Sequence, residues 1–186
     1  QLSANRFPAA SSIAALPNNP KLKPLVYRYS GGDYELEVLA DNILPELTVS
    51  QLLVYALGFN EITLDAEVEL TIRDAPLREF TISIPDGYTV AQLSAAALAD
   101  YFLGPAENGK RSLRLVFSQP LEGRHLIQLR LEQNQAVEGD EWSIPRLDYE
   151  QVKSVRGFVG VSASPGLRLD PAAVKDVNEI AVVFFP

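Results

Sequence analysis

The sequence offers few side chains of the types that carry out chemistry. It has one histidine, His125, and no cysteine. A single histidine cannot supply a His-rich metal site, although it can act as a base beside a serine and a carboxylate. His125 shares strand parity with Ile127 and Leu129, and no Gly-x-Ser-x-Gly sequence accompanies it. We therefore interpret His125 as a histidine near the start of a strand that bonds to a neighbour, and we predict no catalytic residue.

Carboxylates that stand two residues apart are the second chemical candidate. The pairs are Glu35/Glu37, Glu67/Glu69 and Asp148/Glu150. On one face of a strand this spacing is about 7 Å, which suits the two carboxylates of a glycoside hydrolase. The outer positions of an amphipathic strand are also where charge keeps a sheet soluble and discourages edge pairing. We interpret all three pairs as solvated surface.

An acidic turn followed by aromatic residues is the candidate for ligand binding. Residues 138–141 place three acids around Gly139, a composition able to bind calcium, but without the spaced ligands of an EF-hand loop. Trp142 follows the turn, and Tyr149 lies seven residues later, so both rings are candidates for stacking on a sugar. The alternatives are a polar turn and a tryptophan that belongs to the core. We predict no metal and no cofactor, and we retain a glycan as an alternative ligand.

Charge and glycine spacing exclude several functions. The chain has 24 acidic and 16 basic residues, a net charge of −8, which opposes binding to nucleic acid phosphates. No glycine pattern matches a nucleotide-binding loop. No apolar run approaches the roughly 20 residues that cross a bilayer, so we expect no membrane contact by this domain.

The elements that must position these residues are strands. Residues 62–72 alternate apolar and polar without interruption, which predicts a strand of roughly 36 Å with one buried face. Residues 47–57 predict an equally long strand, joined to the first by a turn at 58–61. Such lengths indicate a large antiparallel sheet.

Other runs predict further strands, at residues 25–29, 34–39, 80–84, 113–117, 127–131, 157–163 and 180–185. The first two flank two adjacent glycines and predict a hairpin. A turn at 120–123 is expected to reverse the chain into a second hairpin, and the last run, apolar at every position, is typical of a strand covered on both faces. Repeated strands and turns predict an all-β, antiparallel β-sandwich with long strands.

Local rules disagree only over residues 89–103. Thr89 and Gln92 have the spacing of a capping box, and three consecutive alanines favour one short helix. The surrounding sequence is all strand, and tertiary context commonly overrides weak helix propensity. We predict two short strands, with the helix as the alternative.

Domain organisation follows from composition. Residues 1–24 contain four prolines without sustained periodicity and are predicted to form a linker or strap. Residues 25–186 are expected to form a single β-sandwich domain. Because the chain has no methionine, even at position 1, we read it as part of a longer protein, with tandem modules expected.

A longer pattern joins the apolar runs and turns at residues 25–29, 34–38, 80–90, 113–117, 120–123, 129–132, 144–147 and 156–161. In this order they resemble a β-sandwich domain of very large exported bacterial envelope proteins of unassigned function. The strand that ends in Pro85, Asp86 and Gly87 is also similar to the extended-sheet domains beside the catalytic unit of some metallopeptidases. The resemblance implies a setting and supplies no catalytic residue.

These observations predict a non-enzymatic structural or interaction module that acts through its surface and edges. The resemblance implies a periplasmic, cell-surface or extracellular location in bacteria, with other domains of the same polypeptide or envelope proteins as partners. A carbohydrate-binding module that uses Trp142 and Tyr149, with calcium at 138–141, is the first alternative. An accessory domain of an extracellular hydrolase is the second.

Overall fold

The computed structural model describes Leu25, residues 27–135 and residues 142–186. The chain divides into two compact units, Gln1–Asp41 and Asn42–Pro186. All strands of the described residues lie in the second unit: β1 (Glu46–Leu57), β2 (Ile62–Pro85), β3 (Thr89–Ala95), β4 (Leu98–Glu107), β5 (Lys110–Gln133), β6 (Asp148–Tyr149) and β7 (Val152–Ala163). Within the described ranges, no helix has the length and hydropathy that a membrane span requires.

The seven strands form one sheet with the order β3-β5-β2-β1-β7, and β4 and β6 add to β5 and β2. All pairs are antiparallel except β1 with β7, which is parallel. The predicted all-β class with long strands is confirmed. The parallel pair is a departure from the fully antiparallel sheet that we expected.

The two longest strands, β2 and β5, run antiparallel to each other through most of the sheet. Their pairing is regular from Ile62 to Ile72, is interrupted, and becomes regular again from Glu79 to Pro85. Pro76 and Pro120 both fall in the interruption, where a proline removes no ladder hydrogen bond. The irregularity separates two halves of the sheet, one bounded by β3 and β7 and the other by β4 and β6.

The predicted chain reversal at residues 120–123 is wrong. β5 passes straight through this stretch and remains beside β2 on both sides of it. Gly123 has a φ of +84°, as a turn would require, but here it belongs to a bulge in a continuous strand. Turn residues therefore marked a real irregularity, and only its effect on chain direction was mistaken.

The turn predicted at residues 58–61 joins β1 to β2 and is confirmed. Gly58 N–H donates to the Glu61 carbonyl over 2.8 Å between β1 and β2. Asn108 and Gly109 have φ of 51° and 73°, which suits the two-residue turn between β4 and β5. β3 and β4 also confirm the two strands predicted in the 89–103 region, and the helix alternative is wrong there.

The core is built from the alternating residues that the sequence predicted. The inward side chains of β2 and β5 are almost fully buried, including Leu64, Val68, Ile82, Leu115 and Leu131. Buried residues from both halves of the sheet belong to one hydrophobic cluster. This common core between the halves confirms the β-sandwich.

Two predicted strand regions are wrong. Residues 27–41 contain no strand, and the structure leaves Leu36 and Val38 exposed. The run at 180–185 contains only one 3₁₀ turn, Val182–Phe184. A strand pattern needs a sheet edge to pair with, and an isolated pair of strands is marginally stable at best.

Residues 1–24 lie outside the described residues, and the linker there stays a prediction. The single domain predicted for 25–186 and its place among tandem modules likewise stay predictions.

Candidate functional site

The single histidine makes an ordinary local contact. His125 lies within β5, and its Nε2–H donates to the Glu122 carbonyl over 2.9 Å. The interpretation of a histidine satisfied by a neighbour is confirmed. Its predicted position near a strand start is wrong, because β5 begins at Lys110. Among the described residues, no group of three or more histidine and acidic side chains has a geometry able to hold a metal ion.

The paired carboxylates lie at the surface. Glu67 is exposed on β2 and accepts a hydrogen bond of 3.4 Å from Gln128 Nε2. Asp148 forms an ion pair with Lys110, and both side chains are well exposed. Glu35 and Glu37 are exposed in the stretch that has no strand. The interpretation of these acids as solvated surface agrees with each of these positions.

The aromatic residues considered for sugar binding pack against the core. Trp142 is half-buried and meets Tyr55 edge to face, with ring centroids 5.8 Å apart. Tyr149 stacks on Phe80 at 6.0 Å and donates a hydrogen bond of 2.6 Å to Gln51 Oε1. Both rings therefore serve packing. The acidic turn at 138–141 lies outside the described residues.

Three tyrosines, Tyr55, Tyr88 and Tyr149, are held in their neutral, protonated form. Burial raises the pKa of Tyr88 to about 12. Burial, and after it the neighbouring Tyr88, raises the pKa of Tyr55. Burial, and after it the neighbouring Tyr55 and Asp148, raises the pKa of Tyr149. The Tyr55 hydroxyl donates to the Pro145 carbonyl, whereas the buried Tyr88 hydroxyl has no hydrogen-bond partner among the described residues. A tyrosine hydroxyl whose pKa is raised in this way keeps its proton near neutral pH and does not act as a base.

The most unusual surface of the described chain is the outer side of β7, which we call the β7 edge (Val152–Ala163). β7 is the last strand in the sheet order, and no described strand pairs with its second side. Its pairing with β1 is regular from Thr48 to Leu57. A long, regular strand edge presents a row of unpaired N–H and C=O groups to any strand that approaches.

The core side of the β7 edge is incompletely covered. Val155, Val159 and Val161 are 48%, 48% and 36% exposed. Their partners on β1 are buried: Val49, Leu53 and Tyr55, at 1%, 2% and 0% exposure. Residues paired in a parallel ladder point to the same face of the sheet. The three valines therefore lie on the same face as the buried core residues of β1, but they are only partly covered. We call these three side chains the valine row.

The opposite face of β7 also exposes apolar surface. Phe158 is 42% exposed, and its ring lies edge to face with Phe185 at a centroid distance of 6.4 Å. A Cβ atom at Gly160 would lie 2.8 Å from Phe185 Cζ, so only glycine leaves room for that ring. At Gly157 an added Cβ would overlap the Gln51 backbone. Gly157 therefore permits the close approach of the β1 backbone, and Gly160 permits the close approach of the Phe185 ring.

The charges of β7 are all basic. Lys153 pairs with Glu46 at 2.5 Å, and Arg156 Nε donates to Ser50 Oγ over 3.0 Å. No acidic residue lies in the strand. The edge thus combines exposed valines with a positive charge.

The other described edges are better protected. β4 carries Pro105 together with Asp100 and Glu107, and proline and charge both discourage strand pairing. β3 has only seven residues, with a register shift after Val90. β7 is the longer, regular edge of the set.

Sequence reasoning predicted a strand at 157–163 but not an exposed edge. Apolar residues on both faces of a strand are typical of a buried strand as well as of an unfinished edge. The signal that could have distinguished them is the pair of glycines at 157 and 160, since glycine inside a strand often marks close approach of another chain segment.

Comparisons with known proteins give weak similarities. No family model and no curated protein matches the chain. An M1 zinc metallopeptidase from Deinococcus radiodurans aligns with 13% identity over 48% of this chain, at a TM-score of 0.36. The chain spans 21% of that peptidase chain, about a fifth of its length.

Two cohesins show similarity of the same order. A non-cellulosomal cohesin from the archaeon Archaeoglobus fulgidus aligns with 8% identity over 62% of this chain and 91% of its own, at a TM-score of 0.37. The seventh ScaB type I cohesin of Pseudobacteroides cellulosolvens aligns with 12% identity over 68% of this chain and 98% of its own, at 0.34. At these identities and scores the similarities assign neither a family nor a function.

Proposed function

We propose that this chain is a non-enzymatic interaction module that binds an extended polypeptide segment along the β7 edge. The observation that carries the proposal is the valine row. Its three side chains are about half exposed or somewhat less, while the residues paired with them on β1 are buried. This part of the core is therefore complete only when another segment covers it.

Strand addition explains why such an edge would be useful. An incoming strand satisfies the unpaired backbone groups of β7, and its alternate side chains contact the valine row, which gives affinity and selectivity together. Covering the exposed part of each valine contributes on the order of 1 kcal/mol. Lys153 is already paired with Glu46, whereas Arg156 donates to the neutral Ser50 hydroxyl, so Arg156 is the residue that favours a segment with acidic side chains.

The setting of this module is part of the proposal. The sequence resemblance supports a setting in a larger exported or cell-envelope protein, with other domains of that polypeptide or envelope proteins as the proposed partners. Trp142 and Tyr149 pack against the core, so the described residues give no support to the sugar-binding alternative.

A peptide-binding experiment tests the proposal. The probe is a fluorescein-labelled peptide of about eight residues that alternates valine and threonine and ends in two glutamates, a length that suits one strand. Fluorescence anisotropy is measured against the unmodified chain and against Val159→Lys. We expect the substitution to weaken binding at least about tenfold, since it places a charge in the paired edge.

The matched control is Leu126→Lys. Leu126 is 45% exposed, nearly as much as Val159 at 48%, but it lies on β5. We expect less than about a twofold effect there. Equal weakening by both substitutions, or no saturable binding by the unmodified chain, would contradict the proposal.

A further inference from the structure

We infer that the strand received by the β7 edge is the apolar segment at residues 180–185 of a second copy of this chain. The inference rests on the proposed function and names its partner. We call residues 180–185 the donor segment.

The donor segment is an apolar stretch without a cover of its own. It has no charged residue, no glycine and no proline. Val182, Val183 and Phe184 are 89%, 82% and 73% exposed, and no residue of the segment belongs to a strand. These six consecutive residues carry no charge and are mostly of high β-propensity, so the segment is suited to a strand although it pairs with no strand here.

One ring of this segment already contacts β7. Phe185 lies over Gly160 and beside Phe158 in the chain's own fold. The surface of β7 therefore accepts a side chain of the donor segment. The adjoining backbone of the segment, however, is turned into a 3₁₀ turn instead of pairing with the strand.

The faces of the two elements match. As a strand, the donor segment would present Ile180, Val182 and Phe184 on one side and Ala181, Val183 and Phe185 on the other. β7 exposes the valine row on one side and Phe158 on the other. The valine row thus matches one apolar face of the donor segment, and Phe158 with Gly160 forms a smaller apolar site for Phe185 on the other face, beside Arg156 and Ser162.

The charges agree with this pairing. Glu179 directly precedes the donor segment, and β7 carries Lys153 and Arg156 with no acidic residue. In a parallel register that keeps Phe185 beside Gly160, Glu179 falls opposite Ser154, close to Arg156 and to Lys153, whose ammonium already pairs with Glu46. Opposite charges on neighbouring strands contribute favourably, and like charges would oppose the pairing.

Exchange between copies is consistent with the length of chain before the donor segment. Residues 164–179 contain no strand and are mostly exposed. Sixteen residues can span about 50 Å when extended, enough to reach a neighbouring molecule. Phe185 of the second copy would then contact Gly160 and Phe158 in place of Phe185 of the same chain, as in domain swapping.

Sedimentation velocity over a range of protein concentrations tests the inference on the full chain. The edge variant is Val159→Lys, and the donor variant is Val182→Lys, at a side chain that the isolated chain leaves 89% exposed. We expect the unmodified chain to associate and each variant alone to lose association at least about tenfold. Val177→Lys, at a residue 64% exposed outside the donor segment, is the control and should associate normally.

Mixing the two variants gives the sharpest result. The edge variant keeps a normal donor segment, and the donor variant keeps a normal edge, so one productive contact remains between them. We expect a one-to-one complex in the mixture although neither variant associates alone. Association of the donor variant at the level of the unmodified chain would overturn the inference.

A cysteine pair separates exchange from closure within one chain. The chain has no cysteine, so Val159→Cys in one molecule and Phe184→Cys in another, which lie opposite each other in this register, report only on the introduced pair. A disulfide between the two single variants supports exchange. A doubly substituted chain that closes on itself when dilute, without dimers at high concentration, overturns it.

The peptide experiment shows which proposal has failed. If the unmodified chain stays monomeric but the valine and threonine peptide binds the β7 edge, the second-copy inference is wrong and the proposed function stands. If the chain stays monomeric and no peptide binds, both are wrong.

Discussion

At the residue scale, the hydroxyl groups of Tyr55 and Tyr88 are both buried, but only one has a hydrogen-bond partner in the described part of the chain. The Tyr55 hydroxyl donates to the Pro145 carbonyl, and the Tyr88 hydroxyl is unpaired there. Removing a paired hydroxyl leaves an acceptor unsatisfied, whereas removing an unpaired one relieves a desolvation cost.

We therefore predict opposite effects for two identical changes. Tyr55→Phe should lower the free energy of unfolding by about 1 kcal/mol, and Tyr88→Phe should leave it unchanged or raise it. Urea unfolding followed by circular dichroism measures both. Equal destabilisation by the two substitutions would contradict the hydrogen-bond assignments.

The same tyrosines predict a loss of stability at alkaline pH. Burial raises the pKa of Tyr88 to about 12 and also raises the pKa of Tyr55 above its ordinary value. The unfolded chain loses these protons near pH 10, while the folded chain keeps them. Stability from this source is thus fully present below about pH 10 and declines as pH rises toward the folded-state pKa.

The expected slope is about 1.4 kcal/mol per pH unit for each buried tyrosine. Urea unfolding between about pH 8 and pH 11 should show a plateau and then a fall, and Tyr55→Phe should remove one tyrosine's share of the slope. A slope that is identical with and without Tyr55 would show that this side chain does not titrate differently in the two states.

At the element scale, the bulge between the halves of β2 and β5 depends on particular backbone conformations. Gly123 has a φ of +84° with no atom within 4 Å of an added Cβ, so conformation alone limits substitution. Gly123→Ala should cost about 1 kcal/mol in unfolding free energy.

Gly32→Ala is the matched control for that change. Gly32 also has open space around it, but its φ lies outside the positive range. Thermal unfolding should detect a change at position 123 and almost none at position 32. If the two variants melted together, the positive φ at Gly123 would not be a constraint on the fold.

Strand identity was predictable here because alternation records burial directly. The predicted strands at 47–57 and 62–72 agree with β1 and the first part of β2. Chain direction was less predictable, because the turn residues at 120–123 serve equally well in a bulge. Pairing partners were not predictable, since nothing local to residues 152–163 shows that β7 joins β1 in parallel.

The same limit applies to the candidate site. The surface acids and His125 could be interpreted correctly because their surroundings are local. The β7 edge depends on what lies beside and above a strand at the end of the sheet, which is set by distant residues. Val155 and Val49 have similar sequence surroundings, yet one is 48% exposed and the other 1%.

At the scale of the whole molecule, the second compact unit is a sandwich in which the described residues leave the valine row of β7 partly exposed. Anything that binds the folded state and not the unfolded state raises its stability by mass action. If the β7 edge takes up a donor segment from another copy, folding and association are coupled.

We predict that the melting temperature of the unmodified chain rises with protein concentration. A hundredfold excess of concentration over the dissociation constant corresponds to about 2.7 kcal/mol. For a chain of this size, that amounts to roughly 5–10 °C. Differential scanning fluorimetry of the unmodified chain and of Val159→Lys checks this, and a rise of equal size in Val159→Lys would place the association elsewhere.

The most direct test of the central claim is backbone hydrogen exchange along Val152–Ala163, measured by NMR at low and at high protein concentration. In a strand paired on one side, alternate amides point to the partner and to solvent. We expect the amides that face β1 to be protected throughout, and the alternate, outward-facing amides to become protected only at high concentration or when the valine and threonine peptide is added. Outward-facing amides that exchange freely under all these conditions would show that the β7 edge does not receive a strand.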